Sequence, residues 1–323
     1  MEKKILHLLL LLALLVVSCD APRNNPLDPE NPANKIISIE GNILTDTKSP
    51  EPVSGVSIYW MNERISGLSD ENGYFRVKCS GQTDGWLYFR KDGFATDSVF
   101  INWNGKTKIS LQVNLNSLPT LKSFSFFSIV RNKYSTVDYQ LAVECEINDI
   151  DDDIDSVSLV NQGYKISKQL NKLSASKFEG DYYDYELGVT SLENLVGKNF
   201  EIVVKTSEGS NITIGKASIK RIIKDVIEFI SPANQEVVSS TPNLKWKKFT
   251  QGFNFTYTIE IFSDEPEPEL VWKKEAIPST ETSIDVDSAI PTTPNNNKFF
   301  WVIWCVDEYK NMARSRTAGF VVQ

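Results

Sequence analysis

The chain has 323 residues, of which 41% are hydrophobic and 24% charged, a balance that excludes wholesale disorder. A formal net charge of −8 argues against a basic nucleic-acid-binding surface. The single histidine, His7, lies in an N-terminal segment expected to be removed, so histidine triads, HExxH zinc hydrolases and histidine general bases are excluded from the mature chain. The length suits two domains, or three if each is a β-sandwich of about 100 residues.

Lys3 and Lys4 precede an apolar run over residues 5–17. The run is shorter than the roughly 20 residues that span a bilayer, so a secretory signal is predicted over residues 1–18. It ends in Val16-Val17-Ser18-Cys19, which resembles the lipobox of bacterial lipoproteins. That resemblance implies cleavage after Ser18, a diacylglyceryl thioether on Cys19 and an acylated amino terminus, with palmitate among the expected chains. Each buried CH₂ adds about 0.8 kcal/mol, and two or more chains anchor stably where one does not.

Removing Glu2, Lys3 and Lys4 leaves 32 basic against 41 acidic residues, a balance of −9, so an anionic bilayer repels the body and the lipid must hold it. Asp20 follows the cysteine. In some Gram-negative lineages an aspartate there retains lipoproteins at the inner membrane, and in others acidic residues favour surface export. The location expected is extracytoplasmic, at the outer membrane or cell surface of a Gram-negative bacterium. Residues 19–34 carry the lipidated cysteine and a proline-rich tether, DAPRNNPLDPENPANK continuing to Lys35. At about 3.1 Å per residue in polyproline II form it would reach roughly 50 Å.

From Lys35 the chain alternates short apolar strands with turn residues, and an all-β fold of three consecutive sandwiches is predicted. The first covers residues 35–117, with strands expected over 36–44, 53–60, 73–79, 86–90, 98–103 and 108–115. Asp70-Glu71-Asn72-Gly73 is a tight turn in which Gly73 is free to take positive φ, and Lys91-Asp92-Gly93-Phe94 is a second. These turns, with Gly41 and Gly55-Val56-Ser57-Ile58, resemble the carboxypeptidase regulatory-like domain. The resemblance implies a transthyretin-like sandwich without catalytic residues.

The second sandwich is predicted over residues 118–223. Val137, Tyr139, Leu141, Val143, Cys145 and Ile147 alternate with mainly polar residues as one buried strand face. Thr190-Ser191-Leu192-Glu193 reads as a capping box that starts a helical turn, with Gly197 to end it. The block resembles bacterial surface Ig-like domains.

The third covers residues 224–323. Ser231-Pro232, Thr241-Pro242-Asn243-Leu244-Lys245-Trp246, the Phe255-Tyr257-Ile259-Ile261 alternation and the strand from Phe299 resemble a fibronectin type III-like domain. The resemblance implies Trp246 as the core tryptophan, an inward face of Phe299, Trp301, Ile303 and Cys305, and a closing strand with Phe320 and Val322.

Chemistry is sparse in this pattern. Cys79, Cys145 and Cys305 fall on separate apolar strands and read as unpaired, buried thiols. Asp149, Asp151, Asp153 and Asp155 recur at every second position, a spacing that invites calcium. The EF-hand pattern fails, because its glycine and glutamate positions hold Ile154 and Val160, or Ser156 and Gln162. A solvated acidic turn is the plainer reading, and no metal or other cofactor is expected.

Trp304 alternates with the core-facing set and should point outward, as should one of Trp60, Trp86 and Trp103. An outward indole suits stacking on sugars or packing against protein. The expected role is a non-enzymatic, lipid-anchored binding or spacing module at the cell envelope. Its partners would be the membrane through the anchor and a protein or glycan, and not nucleic acid. The alternatives are a structural subunit of an envelope or secretion assembly and a glycan hydrolase using a carboxylate pair.

Overall fold

The computed structural model describes residue 31 and residues 36–293 and 296–323. The expected signal peptide, Cys19 and all of the tether but residue 31 lie outside the described residues. The fold is all-β, and the chain divides into two compact units, Met1–Leu118 and Pro119–Gln323. No helix among the described residues is long and apolar enough to cross a membrane.

The first unit holds seven strands: β1 (Ile37–Thr45), β2 (Ser57–Trp60), β3 (Ile65–Leu68), β4 (Tyr74–Cys79), β5 (Gly85–Arg90), β6 (Asp97–Ile101) and β7 (Lys108–Leu115). They form a β4-β1-β7 sheet, with β1 and β7 parallel, and an antiparallel β3-β2-β5-β6 sheet. Period-two alternation decides what each strand buries. On β4, Phe75 and Val77 enter the core while Tyr74, Arg76 and Lys78 face out. They join Ile39 and Ile43 of β1 and Trp60, Leu87 and Phe89 of the other sheet in one cluster.

The Asp70 turn forms as the sequence predicts. Gly73 sits at φ +71, and the Asp70 carboxylate accepts the Asn72 and Tyr74 N–H groups, each at 2.9 Å. Gly41 lies so close to the Leu111 carbonyl across the β1–β7 pair that a Cβ would collide with it. The strand β3 is additional to those the sequence predicts, because ISGL carries no alternation that separates it from a loop.

The second unit holds β8 (Thr120–Asn132), β9 (Val137–Asn148), β10 (Ile154–Asn161), β11 (Ile166–Gln169), β12 (Asn171–Lys172), β13 (Lys177–Tyr183), β14 (Phe200–Thr206) and β15 (Asn211–Ala217). There follow β16 (Phe229–Ser231), β17 (Glu236–Val238), β18 (Asn243–Trp246), β19 (Phe255–Ser263), β20 (Leu270–Pro278), β21 (Ser283–Asp285), β22 (Lys298–Asp307), β23 (Met312–Arg314) and β24 (Ala318–Val322). A 3-10 turn at Leu192–Leu195 takes Ser191 as its N-cap, one residue after the predicted Thr190, and Gly197 follows it at φ +73.

Two buried clusters organise this unit. One packs β9 and β13 against the β11-β10-β14-β15 sheet, around Leu141, Val143, Phe178, Phe200 and Ile202. The other packs β19 and β22 against the β16-β18-β21 sheet, around Trp246, Tyr257, Ile259, Trp301 and Phe320. A single ten-stranded sheet is a layer of both, running β12-β13-β9-β8-β23-β22-β19-β20, with β24 on β22 and β17 on β24.

The expected second and third sandwiches therefore lie in one compact unit with a shared sheet. The link is the parallel pairing of β23 with β8, Met312 opposite Ile129 and Arg314 opposite Arg131. Val130 and Ile223, from the block predicted as the second sandwich, are buried in the cluster around Trp246. The run from Phe127 to Val130 is buried at every residue, on both faces of the sheet, which the alternation rule for a half-solvated strand does not anticipate.

Candidate binding groove

On β22 the inward set is Phe299, Trp301, Ile303 and Cys305, all essentially inaccessible, as the sequence predicts. Trp304 consequently points to the opposite face of the ten-stranded sheet. There it is half-buried rather than freely exposed, because it packs with Met312 against Phe127, Ile129 and Ala142, a small cluster distinct from both sandwich cores. Strand register sets its neighbours: Thr258 lies opposite on β19, Arg314 opposite on β23, and Arg131 opposite Arg314 on β8. Four strands thus present the row Thr258, Trp304, Arg314, Arg131.

This row borders a groove of about 480 Å³ lined by Arg131, Glu144, Glu260, Lys273, Trp304 and Lys310, among others. The size falls within the range of ligand pockets, roughly 300–1,000 Å³. The Trp304 indole N–H donates to Glu260 Oε2 at 2.9 Å, which fixes the ring at the groove. Lys273 bridges Glu260 at 3.5 Å and Glu275 at 2.6 Å. The hydrogen bond that Lys273 donates to Glu275 leads the effects that raise its ammonium above its usual range. Lys310 meets Glu144 at 3.3 Å and donates to the Ser125 hydroxyl at 2.8 Å. The guanidinium carbons of Arg131 and Arg314 lie 5.8 and 5.9 Å from the Trp304 ring centroid, at cation–π range.

The other sequence candidates are dispersed. Trp60 and Trp103 are core residues of the first unit, and Trp86 is the outward one, 44% exposed and edge-on to Phe100 at 5.3 Å. Asp149 accepts the Asp153 backbone N–H at 2.9 Å, and burial raises its carboxyl above the ordinary carboxylate range. Asp155 turns away to Lys205 at 3.2 Å. Among the described residues no three His, Cys, Asp or Glu side chains converge to hold a metal ion. Cys79, Cys145 and Cys305 are free thiols, the last two buried.

Sequence reasoning found Trp304 but none of the charged residues around it. The period-two pattern of β22 assigns Trp304 a face, yet which residues flank it depends on the β8–β23 pairing, which no local pattern encodes.

No protein-family model and no curated protein matches the chain. Among solved structures it is similar to the FN1–FN3 domains of chicken CNTN1, at 9% identity and a TM-score of 0.31 over 83% of this chain and 90% of that one. It is similar also to fibronectin(III)-like modules of Clostridium thermocellum CbhA, at 11% identity and a TM-score of 0.29 over 64% and 94%. A bacterial ice-binding adhesin aligns at 13% identity and a TM-score of 0.24 over 83% and 86%. At these scores the likenesses carry no argument, and the all-β class rests on the strands themselves.

Proposed function

We propose that this is a lipid-anchored, extracytoplasmic binding module without catalysis of its own, and that the Trp304 groove is where it holds a glycan. The anchor is supported by the lipobox residues ending in Cys19. The observation that carries the binding reading is the placement of Trp304. Its N–H is committed to Glu260, while the ring lines a groove rimmed by charged side chains and threonine hydroxyls. An aromatic face with polar groups around it matches the two faces of a pyranose, one apolar and one rich in hydroxyls. A glycosidase needs one carboxyl held protonated as general acid. In this groove Glu144, Glu260 and Glu275 are each ion-paired to a lysine, an arrangement suited to holding a ligand.

The binding reading is tested by screening full-length protein and Trp304→Ala against a polysaccharide array. Signals that disappear in Trp304→Ala are expected; signals that persist unchanged place the site elsewhere. The anchor is tested by growth with a radiolabelled fatty acid, where Cys19→Ala should lose both label and membrane retention. Equal label in the two proteins would refute the lipobox reading.

A further inference from the structure

We propose that Arg131 and Arg314 form a carboxylate-binding subsite beside Trp304, so that the groove takes a saccharide carrying a hexuronate. The inference rests on the reading of the groove as a glycan site and adds the chemical class of the sugar.

Arg131 lines the groove and Arg314 adjoins it, opposite Trp304 on the neighbouring strand; both differ from the groove's lysines. Lys273 and Lys310 are paired with Glu260, Glu275 and Glu144. Among the described residues neither Arg131 nor Arg314 has a carboxylate within salt-bridge distance. The acids nearby are engaged elsewhere. Glu260 holds the Trp304 N–H and Lys273, and Asp138 holds Lys133 at 2.5 Å. Asp181 acts on Arg131 only through space.

Arg314 is the more confined of the pair. Its Nε is buried and has no hydrogen-bond partner, although guanidinium N–H groups taken out of water are costly to leave unmatched. Burial leads the effects that lower its pKa, followed by the adjacent Arg131, while Glu260 and Asp138 act through space in the opposite direction. Register sets the two residues side by side on β8 and β23, which brings the like charges into one neighbourhood.

An anion is what this arrangement lacks. Guanidinium groups bind a carboxylate through paired N–H donors in a plane, and a carboxylate on a pyranose would reach them while its ring lies against Trp304. The position also disfavours a peptide. Peptides commonly add to an open sheet edge through main-chain hydrogen bonds. Here β22, β23 and β8 are interior strands with pairing partners on both sides.

The test is calorimetric titration of detergent-solubilised full-length protein with a panel of oligouronates (galacturonate, glucuronate and mannuronate) and with their carboxyl-reduced, neutral counterparts. At least one oligouronate should bind about tenfold or more tightly than its reduced form. Arg131→Gln and Arg314→Gln should each bring the two forms to parity. Arg131 lacks the buried, unpartnered Nε of Arg314, so Arg131→Gln is the variant expected to leave thermal unfolding unchanged, and it decides the matter if Arg314→Gln unfolds. Equal binding of acid and reduced forms by the unaltered protein would overturn the carboxylate subsite and leave the glycan groove standing. Binding of neither form would overturn both. Binding of a poly-glutamate peptide with the same arginine dependence, and of no oligouronate, would assign the arginines to a protein partner and overturn the saccharide.

Discussion

Asn311 and Ser128, 183 residues apart in the chain, are joined at the seam of the shared sheet. Asn311 Oδ1 accepts the Ser128 backbone N–H at 2.9 Å, with the Ser128 hydroxyl at 3.3 Å. The Asn311 side-chain amide in turn donates to Asp307 Oδ2 at 3.0 Å, and its backbone N–H donates to Asp307 Oδ1 at 2.8 Å. Asp307, whose side chain is fully buried, is met by Arg221 at 3.1 Å, and that guanidinium lies 4.2 Å over the Phe253 ring. The seam is thus a satisfied buried polar network, the kind that specifies one arrangement of packed elements.

Asn311→Ala should therefore destabilise the second unit by about 1–3 kcal/mol, since it leaves the Ser128 N–H and Asp307 short of partners. Arg221→Ala should cost about 3 kcal/mol or more, because it removes the ion-pair partner of a buried carboxylate. Urea unfolding followed by tryptophan fluorescence would read both. We expect one transition for residues 119–323 in the unaltered protein and two in Arg221→Ala. If Arg221→Ala unfolds as the parent does, the two clusters are held together by packing alone.

The thiols make a pH prediction. Burial pushes Cys79 and Cys145 up to about 11 and Cys305 up to about 12, from an ordinary value of 9.0. A folded-state pKa above the unfolded one means that the fold favours the protonated thiol. The associated stability is complete below pH 9 and is lost as pH rises through 11 to 12. Burial of Tyr182, held up to about 12, adds to the same loss. Stability should fall steeply on the alkaline side, and a disulfide-exchange reagent at pH 8 should label all three cysteines only as the protein unfolds. A cysteine that reacts at once in the native protein would contradict this.

Gly73 is a point where sequence and structure coincide, and it carries a prediction for the first unit. Its φ of +71 is unfavourable for any residue with a Cβ, and that Cβ would collide with the Ile43 carbonyl oxygen. Gly73→Ala should destabilise the first unit by more than about 1 kcal/mol, while Gly81→Ala, at an open site, should not. Thermal unfolding of the two variants distinguishes them.

Such features were legible because they are local. The Asp70 turn is written in adjacent residues, and the inward faces of β19 and β22 follow from side chains that alternate every second position. The long β8 defeated that logic, since its buried run faces a core on one side and the Trp304 cluster on the other. The parallel β8–β23 register joins residues far apart in sequence, with no turn between the strands to signal it. The groove inherits that limit: Trp304 could be placed on a face, but Arg131 becomes its neighbour only through two strand pairings.

The two tryptophans of the second unit that face opposite ways should separate stability from binding. Trp246 is wholly buried on β18 and packs edge-on against Tyr257 at 5.4 Å, in the cluster between the two sheet layers. Trp246→Ala would leave a large cavity among β-branched and aromatic neighbours that cannot close around it, at a cost of about 3–5 kcal/mol. Trp304 is half-buried and rests on a cluster that is smaller than either sandwich core. Trp304→Ala removes that packing, the Glu260 hydrogen bond and the cation–π contacts, but opens no cavity in either core. Its cost should stay well below that of Trp246→Ala, while glycan binding should be lost. Urea denaturation monitored by circular dichroism, with calorimetry on each variant that folds, measures both quantities. Equal destabilisation by the two substitutions would make Trp304 a core residue. Retained binding in Trp304→Ala would move the ligand off the groove.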